Sequence, residues 1–202
     1  NHNITMKLEK SVKHVAVGIS HIVLVTENEN VYTIGENDRG QLGLGHKKQM
    51  PGKLCLIDPE RFNNESIKQI QCVDHCTIVL TSKGNIYKWG ESFESNEVND
   101  ISAKSNYPMK VYDSSTIDHK FNYVWYNECM YFAISETDGK IYTWGINKKN
   151  FLVEEMFGWK NNRLQSVPVV SLKEKSYDFE IPIKILVMSN CFMILTAQGY
   201  VH

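Results

Sequence analysis

Val31-Tyr32-Thr33-Ile34-Gly35, Ile86-Tyr87-Lys88-Trp89-Gly90 and Ile141-Tyr142-Thr143-Trp144-Gly145 are three versions of one short segment, spaced at a constant step of 55 residues. A repeat of that length, built from short β-rich runs, is the signature of a propeller blade or a related array. Two further runs precede each copy: Val12 to Gly18 then His21 to Thr26, Ile67 to Cys72 then Cys76 to Thr81, and Tyr123 to Tyr126 then Met130 to Ser135. The same pair recurs near the end as Ile183 to Val187 and Cys191 to Thr196. β-Branched and aromatic residues dominate these runs, and their shortness favours strands over helices. Turns rich in Asn, Asp and Gly separate the second and third runs, as in Ser82-Lys83-Gly84-Asn85 and Thr137-Asp138-Gly139-Lys140. Such residues supply the positive φ that tight hairpins demand.

A fourth apolar run follows each closing glycine, and these runs are expected to start at Pro51, Pro108 and Pro168. Proline at the first residue of an outer strand removes no ladder hydrogen bond. The chain therefore reads as all-β, a β-propeller with about four four-stranded blades. It is expected to form one propeller or partial-propeller domain over 1–202, with repeats at roughly 12–57, 67–112, 122–172 and 182–202. Residues 1–11 read as the closing strand of a preceding repeat, because Thr5-Met6-Lys7-Leu8 resembles Pro108-Met109-Lys110-Val111. The chain is thus expected to be a piece of a longer propeller, with a small four-bladed ring as the alternative.

Asn37-Asp38-Arg39-Gly40-Gln41-Leu42-Gly43-Leu44-Gly45 follows the first segment, with Gly18-Ile19-Ser20-His21 upstream and Pro51 downstream. This first repeat resembles the regulator of chromosome condensation repeat. The resemblance implies a seven-bladed propeller, with Gly35, Gly40, Gln41, Leu42, Gly43, Trp89, Gly90, Trp144 and Gly145 as structural motif positions. It is strong only in the first repeat. Ser95-Asn96-Glu97-Val98 and Asn150-Phe151-Leu152-Val153 stand where the Gly-Gln-Leu-Gly turn belongs, and Cys76, Met130 and Cys191 replace His21. Trp89 and Trp144 are expected to wedge between neighbouring blades, with Ile34 in that slot in the first repeat.

Composition narrows the function classes. Of 202 residues, 22 are Lys or Arg and 23 are Asp or Glu, so the net charge of −1 gives no global pull toward nucleic acid or anionic lipid. Cys55, Cys72, Cys76, Cys129 and Cys191 are odd in number, irregularly spaced and mostly inside apolar runs. They suit free thiols in an intracellular setting, cytoplasmic or nuclear, better than a disulfide framework. No apolar stretch is long enough to span a bilayer as a helix.

Candidate chemistry is sparse. Gly40 to Gly45 has phosphate-loop spacing, but His46-Lys47-Lys48 follows it rather than Lys-Ser or Lys-Thr, so turn geometry accounts for its glycines. Cys72-Val73-Asp74-His75-Cys76 lacks zinc-knuckle spacing and a second ligand pair. No Ser-His-Asp or Cys-His arrangement stands out. No catalytic residue, metal or cofactor is expected. The one candidate contact segment is Phe151 to Lys160, where Phe151, Met156, Phe157 and Trp159 cluster in a long connection. Phe, Met and Trp are the residues from which binding hot spots are made. The expectation is a non-catalytic interaction, scaffold or regulatory module with a protein partner. The resemblance adds an alternative, guanine-nucleotide exchange on a small GTPase with chromatin association.

Overall fold

Runs of alternating burial become antiparallel strands, as in His21–Thr26, where Val23 and Val25 are buried while Ile22 is exposed. The structure is a computed structural model and describes residues 8, 10–91, 104–116, 119–127, 130–146, 164–170, 181–188 and 191–201. It divides into two compact units, residues 1–113 and 114–202.

The first unit holds two four-stranded sheets. One runs β1 (Val12–Val17), β2 (His21–Thr26), β3 (Val31–Gly35) and β4 (Cys55–Ile57) in spatial order. The other runs β5 (Ile67–Val73), β6 (His75–Thr81), β7 (Ile86–Glu91) and β8 (Lys104–Tyr112). All neighbours are antiparallel, the meander a propeller blade requires. A short 3-10 turn, Pro59–Phe62, connects the sheets and is capped by Asp58. The second unit holds β9 (Phe121–Asn127), β10 (Met130–Ser135), β11 (Ile141–Ile146) and β12 (Leu164–Val170), then the hairpin β13 (Pro182–Met188) and β14 (Cys191–Thr196).

The three signature segments occupy equivalent places. Gly35 pairs with His21, Gly90 with Cys76 and Gly145 with Met130, each at the start of the second strand. Their φ values are 132°, 83° and 117°, a region that only glycine enters freely. A Cβ at Gly35 would overlap the Ser20 carbonyl, and one at Gly90 would overlap that of His75. The closing glycine thus lets the third strand pass tightly over the first turn of its own blade.

The outer strands correct the sequence reading. Pro51 lies in a turn before β4, closed by Lys53 N–H donating to the Met50 carbonyl at 3.1 Å, with Gly52 at φ 64°. Pro108 and Pro168 lie within β8 and β12 instead of opening them. In both strands the register jumps there. Met109 pairs with Lys88 and Ser105 with Gly90, while Val169 pairs with Thr143 and Gln165 with Gly145. Three residues therefore bulge opposite Trp89, and three opposite Trp144. Proline is tolerated because the bulge already removes its ladder position, on a strand paired along one edge.

The core of the first unit lies between its sheets. Val23, Val25, Val31 and Ile57 of the first sheet meet Val79, Tyr87 and Trp89 of the second, with Phe62 and Ile67 completing the cluster. Burying each such aliphatic chain stabilises by about 1.5–3 kcal/mol. Phe62 packs edge-on to Tyr87 at 5.4 Å between ring centroids. Trp89 has no exposed surface and sits between the sheets. In the second unit Trp144 stacks on Tyr131 at 4.9 Å and on Phe121 at 5.6 Å. Those rings belong to its own sheet, so its described packing differs from that of Trp89. Ile34, in the corresponding slot of the first sheet, is half-buried.

Candidate functional site, a loop face at one end of the paired sheets

Three connections of the first unit meet where the closing glycines end their strands: the turn 18–20, the turn at Asp74, and the long loop 36–54. The loop is held from inside. Asn37 is fully buried, its side-chain oxygen accepts from Leu42 N–H at 3.1 Å, and its amide donates to the carbonyls of His46 and Lys48 at 2.8 and 2.9 Å. Thr33 Oγ1 donates to the Leu42 carbonyl at 3.0 Å. Leu42 is buried beneath them.

The loop is also fastened to the second sheet. The Trp89 indole N–H donates to the Gln41 carbonyl at 2.9 Å. The β8 bulge leaves the Asn106 carbonyl off the ladder, and it accepts Gly45 N–H at 2.8 Å. A Cβ at Gly40 would run into the Asn106 side chain, and one at Gly43 would lie 2.8 Å from the Trp89 indole nitrogen. Gly40, Gln41, Leu42 and Gly43 thus build a clasp between blades. Gly40, Gly43 and Gly45 have φ of 72°, 70° and 84°, so their spacing follows turn geometry and not a phosphate cradle.

Polar side chains then crowd the end of the sheets. The Gln41 side-chain amide donates to Ser20 Oγ at 3.2 Å and to Asp38 Oδ1 at 3.1 Å, and its side-chain oxygen Oε1 accepts from Arg39 N–H at 2.8 Å. Ser20 Oγ lies 3.3 Å from His75 Nδ1, and Ile19 N–H donates to the Asp74 carbonyl at 3.0 Å. The Gln41 amide, and after it the Arg39 guanidinium, hold the exposed Asp38 carboxyl below its usual range. Arg39 and Lys47 both approach Glu91 at 3.7 Å. At that distance on a half-exposed loop, such pairs orient more than they stabilise.

Two groups with basic or nucleophilic chemistry, His21 and Cys72, are quenched by burial. His21 is buried, and Nε2 bonds Thr77 Oγ1 at 2.9 Å. Burial, and next the charge of His75, pull the His21 imidazole down to about 4, so it is neutral near pH 7. Burial pushes the Cys72 thiol up to about 11, which removes thiolate character. Ser20 and His75 do approach each other, which sequence spacing did not reveal. Among the described residues no three His, Cys, Asp or Glu side chains converge to hold a metal. No helix is long and apolar enough to cross a membrane among those residues.

What the face presents outward is Ile19, Glu36, Asp38, His46, Lys47, Lys48 and Gln49, all exposed. The sequence reading singled out Gly40 to Gly43 but missed Asn37, Ser20, His75 and Glu91. A signal for Asn37 existed: Gly35-Glu36-Asn37 has the same Gly-x-Asn spacing as Gly145-Ile146-Asn147. Phe151, Met156, Phe157 and Trp159, the contact segment read from the sequence, lie outside the described residues, as does 95–98.

Comparison with known proteins accords with this architecture. The family model described as the regulator of chromosome condensation (RCC1) repeat matches residues 28–80, and a second model of the same repeat matches 12–41. The X-linked retinitis pigmentosa GTPase regulator of Homo sapiens is 30% identical over 156 residues, covering 77% of this chain and 14% of the relative. Among solved structures, human WBSCR16 matches with a TM-score of 0.69 and 20% identity, over 98% of this chain and 48% of that one. Prp20p from Saccharomyces cerevisiae, described with its binding properties to Gsp1p and histones, matches with a TM-score of 0.59 and 20% identity, over 86% and 41%. The chain therefore spans less than half of each of these proteins.

Proposed function

We propose that this chain, built of regulator of chromosome condensation repeats, is a non-catalytic regulatory module that binds another protein. The observation carrying this reading is the use of the polar groups at the loop face. Asn37, Gln41, Ser20 and Thr33 spend their hydrogen bonds on holding backbone or one another, and His21 and Cys72 are neutral through burial. The result is a fixed loop carrying exposed charged and apolar side chains, which suits recognition rather than bond making. Residues 151–160 remain the second proposed contact, from their cluster of Phe, Met and Trp.

The test is capture of binding partners on the immobilised chain, compared with two double variants, Lys47→Glu with Lys48→Glu and Phe157→Ser with Trp159→Ser. Loss of partners with an unchanged melting curve supports a contact role for the altered pair. Retention in both variants refutes both contact sites. If the Phe157 and Trp159 variant keeps its partner but loses much stability, that segment is core.

A second reading is guanine-nucleotide exchange, supported by a relative named as a GTPase regulator and by the described binding of Prp20p to Gsp1p. Exchange needs no covalent chemistry, so the quenched groups do not exclude it. Release of labelled GDP from a panel of small GTPases above the spontaneous rate would establish it.

A further inference from the structure

Charge is unevenly placed along the loop that precedes β4. From Arg39 to Ile57 the chain has four Lys or Arg and no Asp or Glu, in a sequence whose net charge is only −1. Lys47, Lys48 and Lys53 are exposed. Two of the four cations converge. An Arg39 guanidinium nitrogen and Lys47 Nζ each lie 3.7 Å from the same oxygen of Glu91, at the end of β7. The Glu91 side chain is 14% exposed, against 39% and 44% for the two cations, so a nearly covered carboxylate sits beneath two accessible positive groups.

This trio is ordered but incompletely engaged. A charge-assisted N–H···O bond closes to about 2.7–2.9 Å, so both contacts are long. The other ion pair of Arg39, to Asp38, is longer still at 3.9 Å. Among the described residues no acceptor lies within hydrogen-bonding distance of the Arg39 guanidinium or the Lys47 ammonium. The backbone beneath them is nevertheless fixed. Arg39 N–H donates to Gln41 Oε1 at 2.8 Å, and the carbonyls flanking Lys47, those of His46 and Lys48, accept from the buried Asn37 amide at 2.8 and 2.9 Å. Glu91 is held by the ladder, opposite His75 on one side and Lys104 on the other. Cations placed in advance, with donors still to spend, lower the ordering cost of binding an outside anion.

We propose that Arg39 and Lys47 form a clamp for a side-chain carboxylate in an acidic segment of the partner protein, and that Glu91 is the internal carboxylate with which that group competes. This rests on the reading of the loop face as a protein-binding surface and names the chemistry recognised there. The entering carboxylate makes the short contacts that Glu91 leaves long, and a guanidinium takes such a group through two parallel N–H donors. Lys48 and Lys53 carry the positive field along the loop. Acidic neighbours restrict the occupant. Asp38 approaches Arg39, Glu36 is exposed nearby, and Glu91 lies within the clamp itself. A duplex nucleic acid carries about one negative charge per 1.7 Å, and three carboxylates oppose a train of phosphates that dense. A single side-chain carboxylate needs only the clamp.

Fluorescence anisotropy of a fluorescein-labelled hexaglutamate peptide, titrated with the chain at low salt, tests the clamp. Arg39→Gln and Lys47→Gln should each weaken binding about two- to fivefold, the scale of a single solvent-exposed charge pair. Glu91→Gln removes the competitor and should strengthen binding by about the same two- to fivefold. Lys10→Gln, an exposed change before β1 at the opposite end of the first sheet, should leave it unaltered. Far-UV circular dichroism confirms the fold of each variant. Weaker binding in Glu91→Gln, or indifference to Arg39→Gln and Lys47→Gln, overturns the proposal. So does a labelled single-stranded oligonucleotide that binds more tightly than hexaglutamate with the same dependence on Arg39 and Lys47, since the occupant is then a nucleic acid. Suppose the peptide ignores these changes while Lys47→Glu with Lys48→Glu still loses its captured partner. The clamp is then refuted, and the loop face remains a protein-binding surface of other chemistry.

Discussion

Gly43→Ala and Gly45→Ala separate two effects that the loop sequence alone confounds. Both glycines have positive φ, 70° and 84°, so alanine at either position incurs the left-handed backbone penalty of about 1–2 kcal/mol. Their surroundings differ. A Cβ at Gly45 meets nothing within 4 Å, whereas one at Gly43 lies 2.8 Å from Trp89 Nε1, 2.9 Å from Cδ1 and 3.1 Å from Ile57 Cδ1. Trp89 is fully buried and cannot swing into solvent without opening the interface. Overpacking of that kind costs about 1–3 kcal/mol. Displacing the indole also strains the bond to the Gln41 carbonyl, whose loss inside the core costs about 1–3 kcal/mol more. The expected losses are about 1–2 kcal/mol for Gly45→Ala and about 3–8 kcal/mol for Gly43→Ala. Urea unfolding followed by far-UV circular dichroism measures both, and Trp fluorescence reports the indole environment. Equal losses at the two sites would refute the clasp between loop and second sheet.

Trp89→Ala should destabilise by about 3–5 kcal/mol, and Trp89→Phe by less because it keeps most of the packing while losing the indole donor; urea denaturation distinguishes them. The His21 imidazole titrates near 4 when folded and near 6.5 when free, so the unfolded chain binds more protons between those values. His21 therefore contributes full stability above about pH 6.5 and loses it toward pH 4, on the order of 2–3 kcal/mol, and His21→Gln should flatten a stability profile measured across that window. Glu65 is buried and accepts from Thr81 Oγ1 at 2.7 Å and Asn85 Nδ2 at 3.0 Å. Glu65→Ala should cost about 2–3 kcal/mol and speed amide exchange through Ser82 to Asn85.

The strands were legible because the 55-residue step repeats both composition and turn chemistry, and the closing glycines follow from the same step. The positions of Pro108 and Pro168 misled because a proline that avoids a ladder bond can do so at a strand start or in a bulge, and local sequence does not distinguish the two. Gly40 to Gly43 were legible as a motif, but their partner was not. Asn106 lies more than sixty residues away, and its carbonyl becomes available only through a bulge. The approach of Ser20 to His75 was hidden for a similar reason, since it depends on two turns of neighbouring repeats touching. Trp89 and Trp144 look alike in sequence, yet Trp89 packs between two sheets while Trp144 stacks on Tyr131 and Phe121 of its own sheet.

The clasp also sets an order of events during synthesis. All four strands of the first sheet are complete once Ile57 has been made, yet the loop inside that sheet depends on Trp89 and Asn106. A nascent chain halted between these points carries a finished first meander whose loop lacks its anchors and whose inner valine face lacks its cover. The first blade is therefore completed by its successor, and its assembly runs about one repeat behind translation. Chains truncated after Leu80 should accordingly leave residues 36–54 open to protease, while chains extended to Tyr112 protect them.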